Sequence, residues 1–212
     1  MKDAFLDLSG YRQPLRALMY EKLIWMHLFG INLARERTFG AIRGQEFTYH
    51  QNGNIRAILG VIGFLVIIEG VAIDFFVATK STRIAIVMGI LHALMFLYTL
   101  ALMRASSQRP VLVTSNGILV RISLLYCTWL PIASITSVVY IDHEVDWQAK
   151  PKALWCALGD QPNVCILLSK AEVAILPFGL SRLPSEVYLY LDKPLEFVKA
   201  VETLQSSLQT LT

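Results

Sequence analysis

Two long apolar runs are separated by only four polar residues: AILGVIGFLVIIEGVAIDFFVAT at 57–79, KSTR at 80–83 and IAIVMGILHALMFLYTLALM at 84–103. At a rise of about 1.5 Å per residue, the runs form helices of about 34 and 30 Å, enough to cross the hydrocarbon core of a bilayer. Because the connector is so short, the two helices must be antiparallel neighbours. The sequence therefore predicts a transmembrane hairpin over residues 55–104.

The composition of the whole chain agrees with a membrane protein. Of the 212 residues, 55% are hydrophobic and 17% are charged, which is too apolar for a disordered chain. The net charge of +3 is spread along the chain, so we expect no nucleic-acid partner. The three cysteines, Cys127, Cys156 and Cys165, form no CxxC pair, which argues against a disulfide scaffold and a structural zinc site.

Basic residues flank the hairpin unevenly. Lys80 and Arg83 in the connector are outnumbered by the basic residues on the other side, which are Arg35, Arg37, Arg43, Arg56, Arg104, Arg109 and Arg121. Since cytoplasmic loops carry the excess of Lys and Arg, both termini are expected in the cytoplasm.

Residues 1–54 are predicted to form an N-terminal amphipathic region. Apolar residues recur at helical spacing from Pro14 to Arg37, with basic residues between them. The longest charge-free stretch, 23–34, is too short to span a bilayer. Two interpretations stay open: a helix at the membrane surface, and a helix packed on the rest of the protein.

Residues 109–212 are predicted to form a separate cytoplasmic α+β domain. Asn116-Gly117 suits a tight hairpin turn, and a C-terminal helix begins near Pro194, with Asp192 placed to cap it. The predicted strands are 111–114, 118–123, 125–129, 135–141, 153–158, 164–169, 172–176 and 186–191.

Three segments carry a resemblance to a known family: VTSNGILVRI at 113–122, LPIASITSV at 130–138 and VYLYLDKPLEFVKAVETL at 187–204. They resemble the bacterial pleckstrin-homology-like (PH-like) domains of small membrane proteins. The resemblance implies an antiparallel β-sheet or barrel capped by a C-terminal helix, attached to the bacterial inner membrane. Tyr49-His50 before the first span, with Glu69 inside it, is similar to uncharacterised bacterial membrane proteins and implies no activity.

Glu69 and His92 are the first candidate site. Both lie near the middle of their spans, where an ionised carboxylate would cost on the order of 3 kcal/mol. A hairpin brings them to the same depth, so they are predicted to form an intramembrane polar pair. The pair could handle protons or a ligand, or it could be a structural hydrogen-bonded clasp, which we favour.

Two other features of the spans support these expectations. Ala85, Gly89 and Ala93 recur every four residues and predict a face for close helix packing, possible also between two copies of the chain. Asp74 is about 140° around the helix from Glu69. It is predicted to form a salt bridge with Lys80 or Arg83 near the membrane surface.

The remaining candidates are weak. Asp142, His143, Glu144 and Asp146 could hold a divalent cation, but they lack the spacing of a calcium loop or a zinc peptidase, so a solvated acidic loop is favoured. No nucleophile motif or phosphate-binding loop occurs in the sequence. We expect no metal, no cofactor and no enzymatic activity.

These observations predict a membrane-anchored adaptor or scaffold that presents a PH-like domain to a protein partner or assembles as a homo-oligomer. The alternative is a small intramembrane enzyme, or a proton- or ligand-handling protein, that uses Glu69 and His92.

Overall fold

The computed structural model describes residues 44–177 and 180–209, which form an α+β protein. The helices are α1 (Ile55–Ala78), α2 (Thr82–Gln108) and α3 (Pro194–Gln209). The strands are β1 (Gln45–Phe47), β2 (Val111–Thr114), β3 (Gly117–Ile122), β4 (Tyr126–Pro131), β5 (Ile135–Tyr140), β6 (Ala153–Trp155), β7 (Val164–Leu168), β8 (Ala174–Ile175), β9 (Ser181–Arg182) and β10 (Glu186–Leu189). The amphipathic helix predicted for residues 14–37 lies outside the described residues.

Helices α1 and α2 form the predicted hairpin and are long and apolar enough to cross a membrane. Only 17% and 11% of their most apolar segments are buried, whereas the core helix of a soluble protein would be mostly covered. Large apolar side chains point outward along both helices, including Phe64, Val71 and Phe75. The two helices therefore suit a lipid environment better than an aqueous one.

The strands form two sheets. The six-stranded sheet has the order β1-β2-β3-β4-β8-β9, and the four-stranded sheet has the order β5-β7-β10-β6. The sequence predicted an antiparallel sheet or a barrel. No closed barrel forms among the described strands, and β6 pairs with β10 in parallel. A parallel pair needs a long crossover, which the 30 residues from 156 to 185 provide.

The hairpin is inserted between two neighbouring strands of one sheet. Strand β1 precedes α1 and pairs antiparallel with β2, which follows α2; Phe47 lies opposite Val111. The predicted boundary at residue 54 thus separates β1 from the sheet in which it pairs. The chain leaves this sheet, runs through both helices and returns beside its starting point.

One apolar core joins the base of the hairpin to both sheets. Leu59 on α1 and Leu102 on α2 belong to the same buried cluster as the sheet residues. Helix α3 covers this cluster with Phe197, which is fully buried and packs edge-on against Phe47 at a ring-centroid distance of 5.1 Å. Burying such side chains contributes roughly 1.5–3 kcal/mol each, so the hairpin base and the β domain pack as one unit.

Candidate functional site

A polar pair lies inside the hairpin, between the two helices. His92 Nδ1 on α2 is 3.6 Å from Asp74 Oδ1 on α1. Both atoms are shielded from solvent, and neither has a hydrogen-bond partner within the described part of the chain. Since 3.6 Å is just beyond hydrogen-bond distance, a small closing movement of the helices would join the two groups by a hydrogen bond.

Two glycines make room for this pair. A Cβ atom on Gly70 would lie 3.1 Å from His92 Cβ, and one on Gly89 would lie 3.2 Å from Asp74 Oδ2. Each polar side chain thus faces a glycine of the opposite helix. A larger residue at either glycine would push the helices apart. The close approach of Asp74 and His92 therefore depends on glycine at both positions.

Glu69 is at a depth similar to that of His92 but points in another direction. The inward face of α1 contains Gly63, Val66 and Gly70. Glu69 is one residue, or about 100°, away from Gly70, and it is exposed. No ion pair or hydrogen bond joins it to any residue in the ranges 44–177 and 180–209. The structure brings His92 to Asp74 and leaves Glu69 on the outer face.

The other residues that the sequence singled out in the two helices are divided between the inward face of the hairpin and its exposed face. Ala85 and Gly89 are partly buried, whereas Ala93 is exposed. Asp74 is near His92, and within the described ranges no ion pair links it to Lys80 or Arg83. Gly89 therefore contributes to packing inside the hairpin.

A buried hydrogen-bond cluster joins the hairpin base to the sheet, and sequence reasoning did not find it. Ser123 donates from its amide to the Tyr49 hydroxyl at 2.6 Å, and from its own hydroxyl to the Leu102 carbonyl at 2.7 Å. Arg109 Nη1 donates to the Ser123 carbonyl at 2.7 Å. Burial raises the pKa of Tyr49 to about 12, so the phenol stays protonated. In the sequence, the Tyr49-His50 dipeptide before the first span was the one feature that pointed to this cluster.

Two carboxylates hold the loop that leads into α1. Asp192 Oδ1 accepts from the Asn52 amide at 2.8 Å and Asp192 Oδ2 from the Gln51 amide at 3.2 Å. Asp160 accepts two hydrogen bonds of 2.8 Å from Asn54. Asp192 thus binds the 48–54 loop, whereas the sequence predicted a cap for α3. The segment before the hairpin is therefore fixed on two sides.

The loop around Gly159 touches α1 directly. Gly159 has a φ of +77°, which favours glycine, and a side chain there would overlap Ile58. The β domain thus packs on the first turn of α1 as well as on the loop before it.

His50 is buried in the same joint. Burial lowers its pKa, Arg56 lowers it further, and Asp192 opposes both effects. Its Nδ1 has no hydrogen-bond partner among the described residues. His50 is therefore neutral at pH 7 and acts as part of the packed joint.

The predicted metal candidates lie on the surface. His143 Nδ1 is 3.3 Å from Asp142 Oδ1, and both side chains are exposed. Across residues 44–177 and 180–209, no group of three His, Cys, Asp or Glu side chains is arranged to hold a metal ion. Glu144 and Asp146 line an open cleft of about 720 Å³ together with Asp160, Trp147 and Trp155.

A small polar network supports one wall of this cleft. Lys150 Nζ and the Tyr188 hydroxyl each donate to Glu186 Oε2 at 2.8 Å, and Tyr188 stacks on Trp155 at 4.4 Å. The hydrogen bond from Lys150 lowers the pKa of Glu186. The Lys150 ammonium and the Glu186 carboxylate neutralise each other. The network therefore supports the wall of the cleft.

Strand β5 is an exposed edge of the four-stranded sheet. Its side chains Val139 and Tyr140 are 47% and 42% exposed. Helix α3 packs against β5, where Gln205 Nε2 donates to the Ile135 carbonyl. The end of β5 that carries Val139 and Tyr140 thus combines exposed apolar side chains with a strand edge that no other described strand pairs with.

Comparison with known protein families, with curated proteins and with solved structures gives no match to this chain.

Proposed function

We propose that this protein is a non-enzymatic adaptor or assembly protein of the bacterial inner membrane. The hairpin α1–α2 anchors it, and both termini lie in the cytoplasm. A PH-like β domain presents strand β5 to a protein partner. The two sheets followed by a C-terminal helix support the PH-like assignment, because that resemblance implies this order of elements.

The observation that carries the proposal is the open edge of β5 with Val139 and Tyr140 exposed beside it. An edge strand offers backbone N–H and C=O groups to an extended segment of another protein, and neighbouring apolar side chains add contact area. The partner is therefore expected to supply an extended, apolar segment.

The fixed joint at the hairpin base supports the same role. The hydrogen bonds of Tyr49, Asp160 and Asp192 hold the domain against the first turn of α1. A domain held at the membrane searches a small volume, so a weak surface can bind a membrane-bound partner through raised effective concentration.

A photo-reactive amino acid at Tyr140 tests the proposal in intact membranes. We expect one or a few discrete cross-linked products at Tyr140. Leu195, which is 65% exposed on α3, is the matched control and should give none of them. The substitution Val139→Lys should abolish the products, because a charge on an edge strand blocks pairing. Identical products at Tyr140 and Leu195 would contradict an adaptor role for β5.

A second candidate function is proton or ligand handling inside the hairpin, with Asp74 as the partner of His92. The two facing, unpaired polar atoms favour it. Asp74→Asn and His92→Gln retain shape while changing the titration. If both variants support wild-type growth and protein levels, the pair is only a structural clasp.

A further inference from the structure

Glu69 is at the centre of an exposed face of α1. The residues of this face are spaced alternately by four and three positions: Ile58, Ile62, Leu65, Glu69, Ala72 and Phe76. All six are exposed. Glu69 is the single polar residue of the face. It lies eleven residues after Ile58 and nine residues before Ala78, where the helix ends.

An exposed carboxyl group at this depth is unfavourable in lipid. Ionisable residues in spanning helices almost always face other protein or water, and they commonly pair with one another. His92 is turned toward Asp74, and no hydrogen bond or ion pair joins Glu69 to any residue in 44–177 or 180–209. The partner of Glu69 must come from outside the described hairpin.

We propose that the Glu69 face of α1 binds the same face of a second copy of this chain, so that the two Glu69 carboxyl groups hydrogen-bond to each other. Two copies inserted in the same direction are related by a two-fold axis along the membrane normal, which places identical residues at identical depth. A second copy therefore always offers a carboxyl group opposite Glu69.

The chemistry and shape of the face fit this arrangement. A protonated carboxyl group both donates and accepts a hydrogen bond, so two of them are complementary. Ala72 is small and lies one turn from Glu69, which lets the two helices approach closely.

This inference rests on the membrane insertion that forms part of the proposed function. The test uses the full-length protein in native membranes, carrying a photo-reactive amino acid at Leu65 or at Phe64. The two positions are adjacent, equally deep, and 54% and 61% exposed. Leu65 lies about 40° from Glu69 and Phe64 about 140° from it, so they report on different faces.

We expect the Leu65 probe to give a covalent dimer and the Phe64 probe to give little. Two differently tagged copies, expressed together, identify the product as a homodimer. Glu69→Leu should lower the dimer yield about three- to tenfold, and Glu69→Gln should retain most of it, because an amide still donates and accepts. Neither substitution should change the fold of the single chain, since Glu69 is exposed and no hydrogen bond or ion pair joins it to a residue in 44–177 or 180–209.

Three results would overturn the inference: equal dimer yields at Leu65 and Phe64, an unchanged yield in Glu69→Leu, or a Leu65 adduct to another protein or to residues 1–43 of the same chain. Carbonate washing of the membranes distinguishes failure of the Glu69 contact from failure of the proposed membrane anchoring. Protein released by the wash contradicts membrane anchoring itself, whereas retained protein without a dimer contradicts only the Glu69 contact.

Discussion

The Tyr49 phenol lies where three parts of the chain meet: the segment before α1, the end of α2 and the turn after β3. Its oxygen accepts a hydrogen bond from the buried amide of Ser123, whose backbone has a φ of +51°. The Ser123 hydroxyl in turn binds the Leu102 carbonyl of α2. Tyr49 thus satisfies a backbone donor that water cannot reach.

Removing this hydroxyl should destabilise the protein. Tyr49→Phe leaves the buried Ser123 amide without an acceptor, and the expected loss is about 1–3 kcal/mol of unfolding free energy. Denaturant titration of the detergent-solubilised protein measures it. The control is Tyr140→Phe, since Tyr140 is 42% exposed and its change should have little effect. Equal stability of the two variants would mean that the Ser123 amide finds another partner.

Asp192 should make stability depend on pH. Burial raises its pKa, but hydrogen bonds from Thr48, Asn52 and Gln51 outweigh this and hold the pKa below its ordinary value of 3.8. The ionised carboxylate therefore stabilises the fold above the unfolded-state pKa near 3.8, and this contribution disappears as pH falls through the lower folded-state pKa.

The pH prediction is measured as unfolding free energy between pH 6 and 3. Asp192→Asn should be less stable at pH 6 and should lose less stability on acidification than the wild type. Glu202→Gln on the exposed face of α3 should follow the wild-type curve. Parallel curves for Asp192→Asn and the wild type would show that the carboxylate titrates alike in both states.

At the scale of elements, the packing of α1 on α2 depends on where its glycines lie. Gly70 faces His92, whereas the nearest atom to a Cβ on the exposed Gly60 is Met103 Cε at 3.9 Å. Gly70→Leu should therefore separate the helices and destabilise the hairpin by about 1–3 kcal/mol or more. Gly60→Leu should be tolerated. Thermal unfolding in detergent compares them, and equal losses would contradict the observed helix contact.

The Asp74–His92 pair should contribute a small coupling energy to the same contact. Interhelical polar pairs in membranes average about 0.6 kcal/mol. A double-mutant cycle with Asp74→Ala and His92→Ala should give a value of that order. Additive effects of the two substitutions would show that the side chains are close but energetically independent.

The helices and most strands could be predicted because their signals are local. Long apolar runs predicted α1 and α2, and strand-like residues predicted β2 at its observed bounds, Val111–Thr114. Strand β1 was missed because QEF is only three residues long and mostly polar. The parallel pairing of β6 with β10 depends on contacts between distant segments, which a single sequence does not display.

For the site, the sequence predicted depth but not direction. Helix rise and the short connector predict a similar depth for Glu69 and His92, and Gly70, the residue after Glu69, faces His92. Which face of α1 turns inward is decided by Gly63 and Gly70, whose small size admits Phe96 and His92. Counting residues along each span does not reveal this choice, so Asp74 was assigned to the membrane surface.

At the scale of the whole molecule, the hairpin and the β domain share one core, although the residues that form this core are far apart in the sequence. Phe47 precedes the hairpin, yet it is 2% exposed and packs on Phe197 near the C-terminus. Phe47→Ala should cost about 3–5 kcal/mol, as for a residue in the middle of a core.

Circular dichroism during thermal unfolding measures this loss. Trp147→Ala is the control, because Trp147 is 64% exposed and its replacement should change stability by less than about 0.5 kcal/mol. A Phe47→Ala variant as stable as the wild type would mean that β1 is only a linker to the hairpin.

The pairing of β1 with β2 also determines how the molecule can move. Neighbouring strands are about 4.8 Å apart, and Asp192 and Asp160 hold the loop between β1 and α1. The start of α1 therefore stays close to the end of α2 while these contacts remain. The connector at residues 79–81 joins the other ends of the two helices, so the hairpin is held together at both ends. A rotation of the β domain would therefore turn both helices together, and in the proposed adaptor a partner that binds at β5 would reorient α1 and α2 as one rigid body.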